Sequence, residues 1–289
     1  MRKRATTIAV LTAALALTAG CTRTPPPATG ADLARVQRWW ILIGHAVSLD
    51  SVDWRHAARD TQMVVLAGDP RIPVGDLPRE TIRLGYLSLG EVSSHSPTWE
   101  AARQQSYLVE SNPDWPTTMR VDVRDPAWRR LILEEEAPRL LRMGFQGFML
   151  DTIDTAPYLE GRDPGRFAGE RRAMSDLARE LRQRFPSRII IANGTDALAD
   201  VAASVDGYVV EGVFATYDFG RRVYRPTTEQ ERAWKLAQIE RAEAAAAHPV
   251  FTIEYADLGD IDLGRWAAAE SERRGFRPCV TVKDLNAVP

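Results

Sequence analysis

The residues of this chain that could do chemistry are carboxylates, and they recur directly after short apolar runs. Glu91 follows Ile82–Leu89, Asp151 and Asp154 follow Gly147–Leu150, and Glu211 follows Tyr208–Val210. Glu254, Tyr255 and Asp257 follow Val250–Ile253, and Asn193 places an amide after Ile189–Ala192. Paired carboxylates without a histidine or cysteine cluster suit cleavage of a glycosidic bond, one as acid and the other as nucleophile or base. The other use of such a set is a divalent cation, here resting on Asp151 and Asp154. His45, His56, His95 and His248 are scattered, and there is no zinc spacing, phosphate-binding glycine loop or nucleophile elbow. The expectation is no metal and no cofactor.

These residues need a scaffold that gathers them. Eight short apolar runs provide one: Trp39–Ile43, Met63–Leu66, Ile82–Leu89, Gly147–Leu150, Ile189–Ala192, Tyr208–Val210, Val250–Ile253 and Cys279–Val282. They are rich in Val, Ile, Leu and aromatics and do not alternate, as parallel strands buried on both faces do not. Helices lie between several of them. Asp125-Pro126 opens one that runs to Met143 with a kink expected at Pro138, and Phe167–Phe185 is a second. Pro226-Thr227-Thr228 opens a third, and Leu263–Arg274 is a fourth, ended by Gly275. Strand then helix, eight times, predicts an α/β fold of a single domain, a (β/α)₈ TIM barrel. Such a barrel takes about 250 residues, close to the length of this chain. A doubly wound nucleotide fold would need a glycine-rich turn after the first strand, where the chain reads Gly44-His45-Ala46-Val47. In a barrel the C-terminal strand ends form one rim, so the carboxylates converge there.

The first segment reads differently. Arg2, Lys3 and Arg4 precede an uncharged run, Ala5 to Ala19, which ends in Leu17-Thr18-Ala19-Gly20-Cys21. That run is short for a membrane span, which takes about 20 apolar residues, and reads as residues 1–20 of a lipoprotein signal peptide. Cys21 would then carry the lipid, and 21–32, rich in Pro and Thr, would be a tether to a barrel at 33–289. The expected location is the cell envelope, on a membrane held through the lipid. Cys279, the other cysteine, sits in a strand-like run and is expected to be a small buried residue. Removal of the three leading cations leaves 34 basic against 39 acidic residues. That balance argues against nucleic acid and suits a neutral or cationic sugar polymer. A monomer is expected.

Three stretches resemble the endo-α-1,4-polygalactosaminidase family, glycoside hydrolase family 114. Gly85-Tyr86-Leu87-Ser88-Leu89-Gly90-Glu91 is similar to its Tyr-x-Ser-x-Gly-Glu strand. Gly144-Phe145-Gln146-Gly147-Phe148-Met149-Leu150-Asp151-Thr152-Ile153-Asp154 is similar to its fourth-strand motif. Val205–Phe214, with Glu211 at its centre, is similar to its sixth-strand motif. The resemblance runs from about Trp39 to the end. It implies hydrolysis of an amino-sugar polysaccharide with Asp151 and Glu211 as the catalytic pair. Strands two apart lie roughly 10 Å apart, so inward side chains would bring the carboxyls to about 5–7 Å. That range leaves retaining and inverting chemistry both open. If the enzyme is retaining, Asp151 is the nucleophile and Glu211 the acid/base. Two stretches depart from the family. The acid after the second strand is shifted to Asp69, and Val92-Ser93-Ser94-His95 follows Glu91.

Substrate contacts are expected at Tyr86, Ser88, Glu91, Asp154, Asn193, Tyr217, Tyr255 and Asp257. Each has a structural alternative: Tyr86 and Ser88 could fill barrel layers, Glu91 could form a buried pair, and Asp154 could cap a loop. Trp99, Trp115 and Tyr217 could stack on sugar faces. Glu134-Glu135-Glu136 reads as a solvated helix face. A second function stays open beside hydrolysis: a non-catalytic carbohydrate-binding lipoprotein on a degenerate barrel. Carboxyls of Asp151 and Glu211 more than about 10 Å apart would favour it.

Overall fold

The computed structural model describes residues 29–44, 49 and 52–287. The expected signal peptide at 1–20, the lipid-bearing Cys21 and most of the tether lie outside the described residues.

The eight apolar runs form eight parallel strands: β1 (Trp39–Leu42), β2 (Met63–Leu66), β3 (Ile82–Ser88), β4 (Gly147–Asp151), β5 (Ile189–Asn193), β6 (Gly207–Glu211), β7 (Val250–Tyr255) and β8 (Arg277–Thr281). They pair in sequence order from β1 to β8. The edge strands meet as well. Trp39 Nε1 donates to the Arg277 carbonyl at 2.9 Å, and the amides of Ile43 and Gly44 both donate to the Leu285 carbonyl at 3.0 Å. The sheet is thus a nearly closed barrel, and the expected TIM barrel stands. The strands read as continuous apolar runs because one face fills the barrel and the other is covered by helices.

Two helices open at the expected caps, whereas those expected at Phe167–Phe185 and Leu263–Arg274 run Glu170–Arg184 and Ile261–Arg273. Asp125 accepts from the Ala127 amide at 2.7 Å and Pro126 occupies the first turn. Thr228 and Glu231 make a reciprocal capping box at the head of Glu229–Ala245. The kink expected at Pro138 takes another form. Pro126–Arg130 passes into a π-helical run, Leu131–Glu136, before α-helix resumes at Ala137–Arg142. Proline has no N–H to give back along the helix, and the wider turn absorbs the missing bond. Glu134 and Glu135 are exposed as expected, but Glu136 is buried. Both its oxygens accept from the Arg139 guanidinium, at 3.0 and 2.8 Å.

Two insertions on the C-terminal rim carry no apolar period and were not predicted. After β3 the chain builds a small antiparallel sheet from Glu91–Ser93, Leu108–Ser111 and Thr118–Val121. After β6 it makes a hairpin, Ala215–Asp218 with Val223–Pro226. The opposite end of the barrel is stopped by the chain's own entry. A short 3₁₀ turn, Gly30–Arg35, reaches back into the segment expected to be tether and buries Leu33 completely. A Cβ at Gly207, the first residue of β6, would lie 3.4 Å from the Leu33 side chain. Arg277 fixes this segment, donating to the Val36 and Ala34 carbonyls at 2.8 and 3.1 Å.

Candidate active site

Strand periodicity decides which rim residues face the barrel axis. In β4, β5 and β6 the last residue of each strand points inward, and these are Asp151, Asn193 and Glu211. Tyr86 in β3 and Tyr255 in β7 flank them. The five side chains form one hydrogen-bonded arc. Tyr86 donates its hydroxyl to Asp151 Oδ2 at 2.7 Å. Asn193 Nδ2 donates to Asp151 Oδ1 at 2.7 Å and to Glu211 Oε1 at 2.6 Å. Tyr255 donates to Glu211 Oε2 in a short hydrogen bond. The two oxygens that share the Asn193 amide therefore lie at most about 5.3 Å apart, the sum of its two bonds. Every oxygen of the pair has a donor, and the separation lies far inside the limit beyond which joint chemistry fails.

Burial shapes the electrostatics. Desolvation pushes the Asp151 carboxyl up, and the donors Tyr86, Thr152 and Asn193 pull it back. Glu211 is raised by burial and then by the Asp151 charge, against Tyr255, Asn193 and the Lys235 ammonium. The repulsion between the two charges acts on both carboxyls, so the pair gives up its protons in two separate steps. Tyr86 and Tyr255 are both driven well above the usual tyrosine value, by burial first and by their carboxylate partners second. They remain donors throughout the ordinary pH range.

The backbone at the two strand ends is specialised. Thr152, next to Asp151, has φ of 58°, a conformation rarely held by a non-glycine residue. Its hydroxyl accepts from the Gly90 amide at 2.8 Å and meets the Ser88 hydroxyl at 2.8 Å. A Cβ on Gly90 would lie 2.3 Å from the Thr152 carbonyl, so only glycine lets β3 and β4 approach this closely. Gly212, next to Glu211, has φ of 58°. The backbone at this turn is gripped by Lys235, whose Nζ donates to the Glu211 carbonyl at 2.6 Å and to the Gly212 carbonyl at 2.9 Å.

The remaining expected residues divide. Tyr86, Asn193 and Tyr255 join the pair directly. Ser88 spends its hydroxyl on the Glu91 carbonyl at 2.7 Å and braces the loop. Glu91 is buried under the small antiparallel sheet, where Asn112 Nδ2 reaches both its oxygens at 3.0 and 3.2 Å and Thr155 one at 3.2 Å. Its Coulomb partner is Arg120, at 3.6 Å. Asp154 accepts from the Thr195 and Ala197 amides at 2.7 and 2.8 Å, which is the loop-capping alternative. Asp257 is exposed and turns onto its own loop through the Gly259 amide. Glu254 points outward and is fully buried, accepting from the Phe214 and Ala215 amides and the Ser271 hydroxyl. Tyr217 lies in the hairpin after β6 within an aromatic cluster. Cys279 is buried on β8.

Lys235 was not anticipated. The available signal was composition: the chain has three lysines against 34 arginines. A compact ammonium reaches two successive backbone carbonyls where a planar guanidinium would not fit as well. The departing loops after β2 and β3 also have a place. Together with Tyr86 and Ser88, Asp69, Arg71 and His95 line a recess of about 260 Å³. Among the described residues, no group of three or more His, Cys, Asp or Glu side chains could hold a metal ion.

Comparisons with known proteins agree with this construction. The sequence profile of glycoside-hydrolase family GH114 matches residues 76–289. An uncharacterised protein of Deinococcus radiodurans is 30% identical over 290 residues, covering 93% of this chain and 90% of its own. The glycoside hydrolase domain of PelA from Pseudomonas aeruginosa superposes with a TM-score of 0.71 at 22% identity, over 88% of this chain and 97% of that domain. Ega3 of Aspergillus fumigatus, in complex with galactosamine, superposes at 0.61 with 16% identity, over 86% and 92%.

Proposed function

Because the chain belongs to glycoside hydrolase family GH114, we propose that it hydrolyses an amino-sugar polysaccharide, resembling polygalactosamine, with Asp151 and Glu211 as its catalytic carboxylates. The observation that carries the reading is the Asn193 amide held between them, which keeps the facing oxygens within about 5.3 Å. So close a spacing supports the retaining class, whose carboxyls lie about 5–5.5 Å apart, over the wider separation of inverting enzymes.

In this reading Asp151 attacks the anomeric carbon while Glu211 gives its proton to the departing glycosidic oxygen. A covalent glycosyl–Asp151 ester results. Glu211, now ionised, takes a proton from water, whose oxygen displaces Asp151 and regenerates both groups. The assignment follows the family resemblance, and Tyr86 and Asn193, which donate to Asp151, would support its charge as nucleophile. The galactosamine held by Ega3 supports the choice of sugar. The recess beside Tyr86, walled by the loops that depart from the family pattern, is where a difference in substrate preference would arise.

The address is part of the proposal. Arg2–Arg4, the uncharged run to Ala19 and Cys21 support export and lipid attachment. Labelled palmitate should enter the native chain and not Cys21→Ser.

The test is release of reducing ends from de-N-acetylated and N-acetylated galactosamine polymers by the native chain, Asp151→Asn and Glu211→Gln. Release by the native chain alone, with the anomeric configuration of the first product unchanged, bears out the mechanism. Undiminished release by either variant overturns the roles, and no release from any galactosamine polymer moves the reading to a carbohydrate-binding barrel.

A further inference from the structure

Two of the three lysines stand on the barrel rim, and only Lys235 takes part in the site described above. The other, Lys283, follows β8 by two residues. Its Nζ lies 5.6 Å from the centre of the Trp115 ring and 5.3 Å from that of Tyr217. Trp115 comes from the small sheet after β3, and Tyr217 from the hairpin after β6. Three loops from the C-terminal strand ends thus meet on one ammonium, on the same mouth as Asp151 and Glu211. The rings are braced: Phe219 packs edge-on against Trp115 at 5.9 Å and against Tyr217 at 5.2 Å, and Tyr224 against Tyr217 at 5.0 Å. The cluster is open to solvent, with Trp115 39% exposed and Phe219 42%.

An aromatic group of this kind binds ammonium ions through the negative faces of the rings. Here the ammonium belongs to the protein itself, on a side chain built to leave. The Lys283 backbone is fixed, its N–H donating to the Tyr224 hydroxyl at 3.2 Å. Its four-carbon stem ends in an ion pair with Asp284, whose side chain is 51% exposed. The Lys283 side chain is 26% exposed, and swinging its stem into solvent leaves two ring faces and a carboxylate together. That combination is complementary to a protonated primary amine and indifferent to an acetamide.

We propose that Trp115, Tyr217 and Asp284 form an ammonium subsite for a protonated amino sugar, and that Lys283 is its displaceable internal occupant. The inference rests on the amino-sugar reading above for the identity of the ligand. The exchange is one cation for another and makes or breaks no covalent bond. It selects de-N-acetylated units of the polymer at a point on the rim apart from the carboxylate pair.

The experiment has two arms on the full chain. In the first, KM is measured for de-N-acetylated and fully N-acetylated galactosamine oligomers with the native chain, Lys283→Met and Trp115→Ala. Lys283→Met should lower KM for the de-N-acetylated oligomer about two- to fivefold, the size of an exposed cation–π contact, and Trp115→Ala should raise it similarly. The N-acetylated oligomer should respond to neither. Equal responses to both oligomers, or a higher KM in Lys283→Met, overturn the subsite. In the second arm tetramethylammonium chloride is titrated into Lys283→Met while the Trp115 indole resonance is followed by NMR, assigned with the double variant carrying Trp115→Ala. A saturable shift, weaker in the native chain, is expected. Its absence overturns the subsite whether or not any polymer is cleaved, whereas a saturable shift without cleavage sinks only the hydrolytic reading.

Discussion

Asn193 Nδ2 sits midway between Asp151 Oδ1 and Glu211 Oε1, donating one hydrogen to each at 2.7 and 2.6 Å. One amide therefore both spaces the two acids and screens them from each other. Hydrogen bonds to charged groups contribute about 1.5–3 kcal/mol, so Asn193→Ala should lower kcat by roughly 10–150-fold. The loss should fall mainly in kcat rather than KM, which steady-state kinetics on a cleaved oligomer will show. Unchanged kcat would mean that the spacing is set by the strands alone.

The acid limb and the basic limb of the rate profile report the pair. The proposed mechanism needs ionised Asp151 and protonated Glu211, so kcat should fall below the first ionisation and above the second. Tyr255 donates to Glu211 and lowers its pKa. Tyr255→Phe removes that donor, so Glu211 keeps its proton to higher pH and the basic limb should move upward. Lys235→Met should move it the same way, because a cation near Glu211 is lost. A downward shift in either profile would contradict the assignment of the acid to Glu211.

A separate carboxyl governs stability near neutral pH. Glu170 is completely buried, accepts from the Val123 amide at 3.2 Å, lies 3.4 Å from the Arg124 guanidinium and has the Asp122 carboxyl as its acidic neighbour. Burial, before that neighbour, pushes its pKa up to about 8 from 4.5. A raised carboxyl stabilises the fold below its unfolded pKa, and that contribution drains away as pH rises from about 4.5 to 8. The Tm should therefore decline over this window, and Glu170→Gln should flatten the decline. An equally steep profile in the variant would assign it elsewhere. Glu254, raised to about 7 by burial, acts in the same direction over a narrower span.

Asp154 is the second acid on which a divalent cation would have to rest, and its two oxygens are engaged by the Thr195 and Ala197 amides. Asp154→Ala frees that loop and should cost about 1–3 kcal/mol of stability through lost charged hydrogen bonding, read as a lower Tm. Chelator should change neither the Tm nor the rate of the native chain. A chelator-sensitive Tm would revive the cation reading.

Much of this arrangement was legible because a buried parallel strand leaves a continuous apolar run, and the polar residue that ends it is visible by contrast. That is why β1 to β8, Asp151, Asn193 and Glu211 could be placed from residue order. Glu91 shows where this reasoning stops. It ends an apolar run as Asp151 does, yet Asn112, Arg120 and Thr155 claim it, and none of them neighbours it in sequence. The strands that deliver Asn112 and Arg120 are partly exposed and carry charged partners, so no period announces them. Lys235 is hidden for a related reason, lying 24 residues beyond Glu211 on a helix whose turn positions it.

Leu33 stops the barrel at the end where the strands begin, so the described chain enters from beneath, while Asp151 and Glu211 look out of the far side. For a chain anchored at Cys21 this fixes an orientation. Under the proposed lipid attachment the anchor would pull on the floor of the barrel and present the mouth outward, away from the bilayer. Such a polarity favours a polymer that arrives from the surroundings over one still emerging from the membrane on which the protein stands.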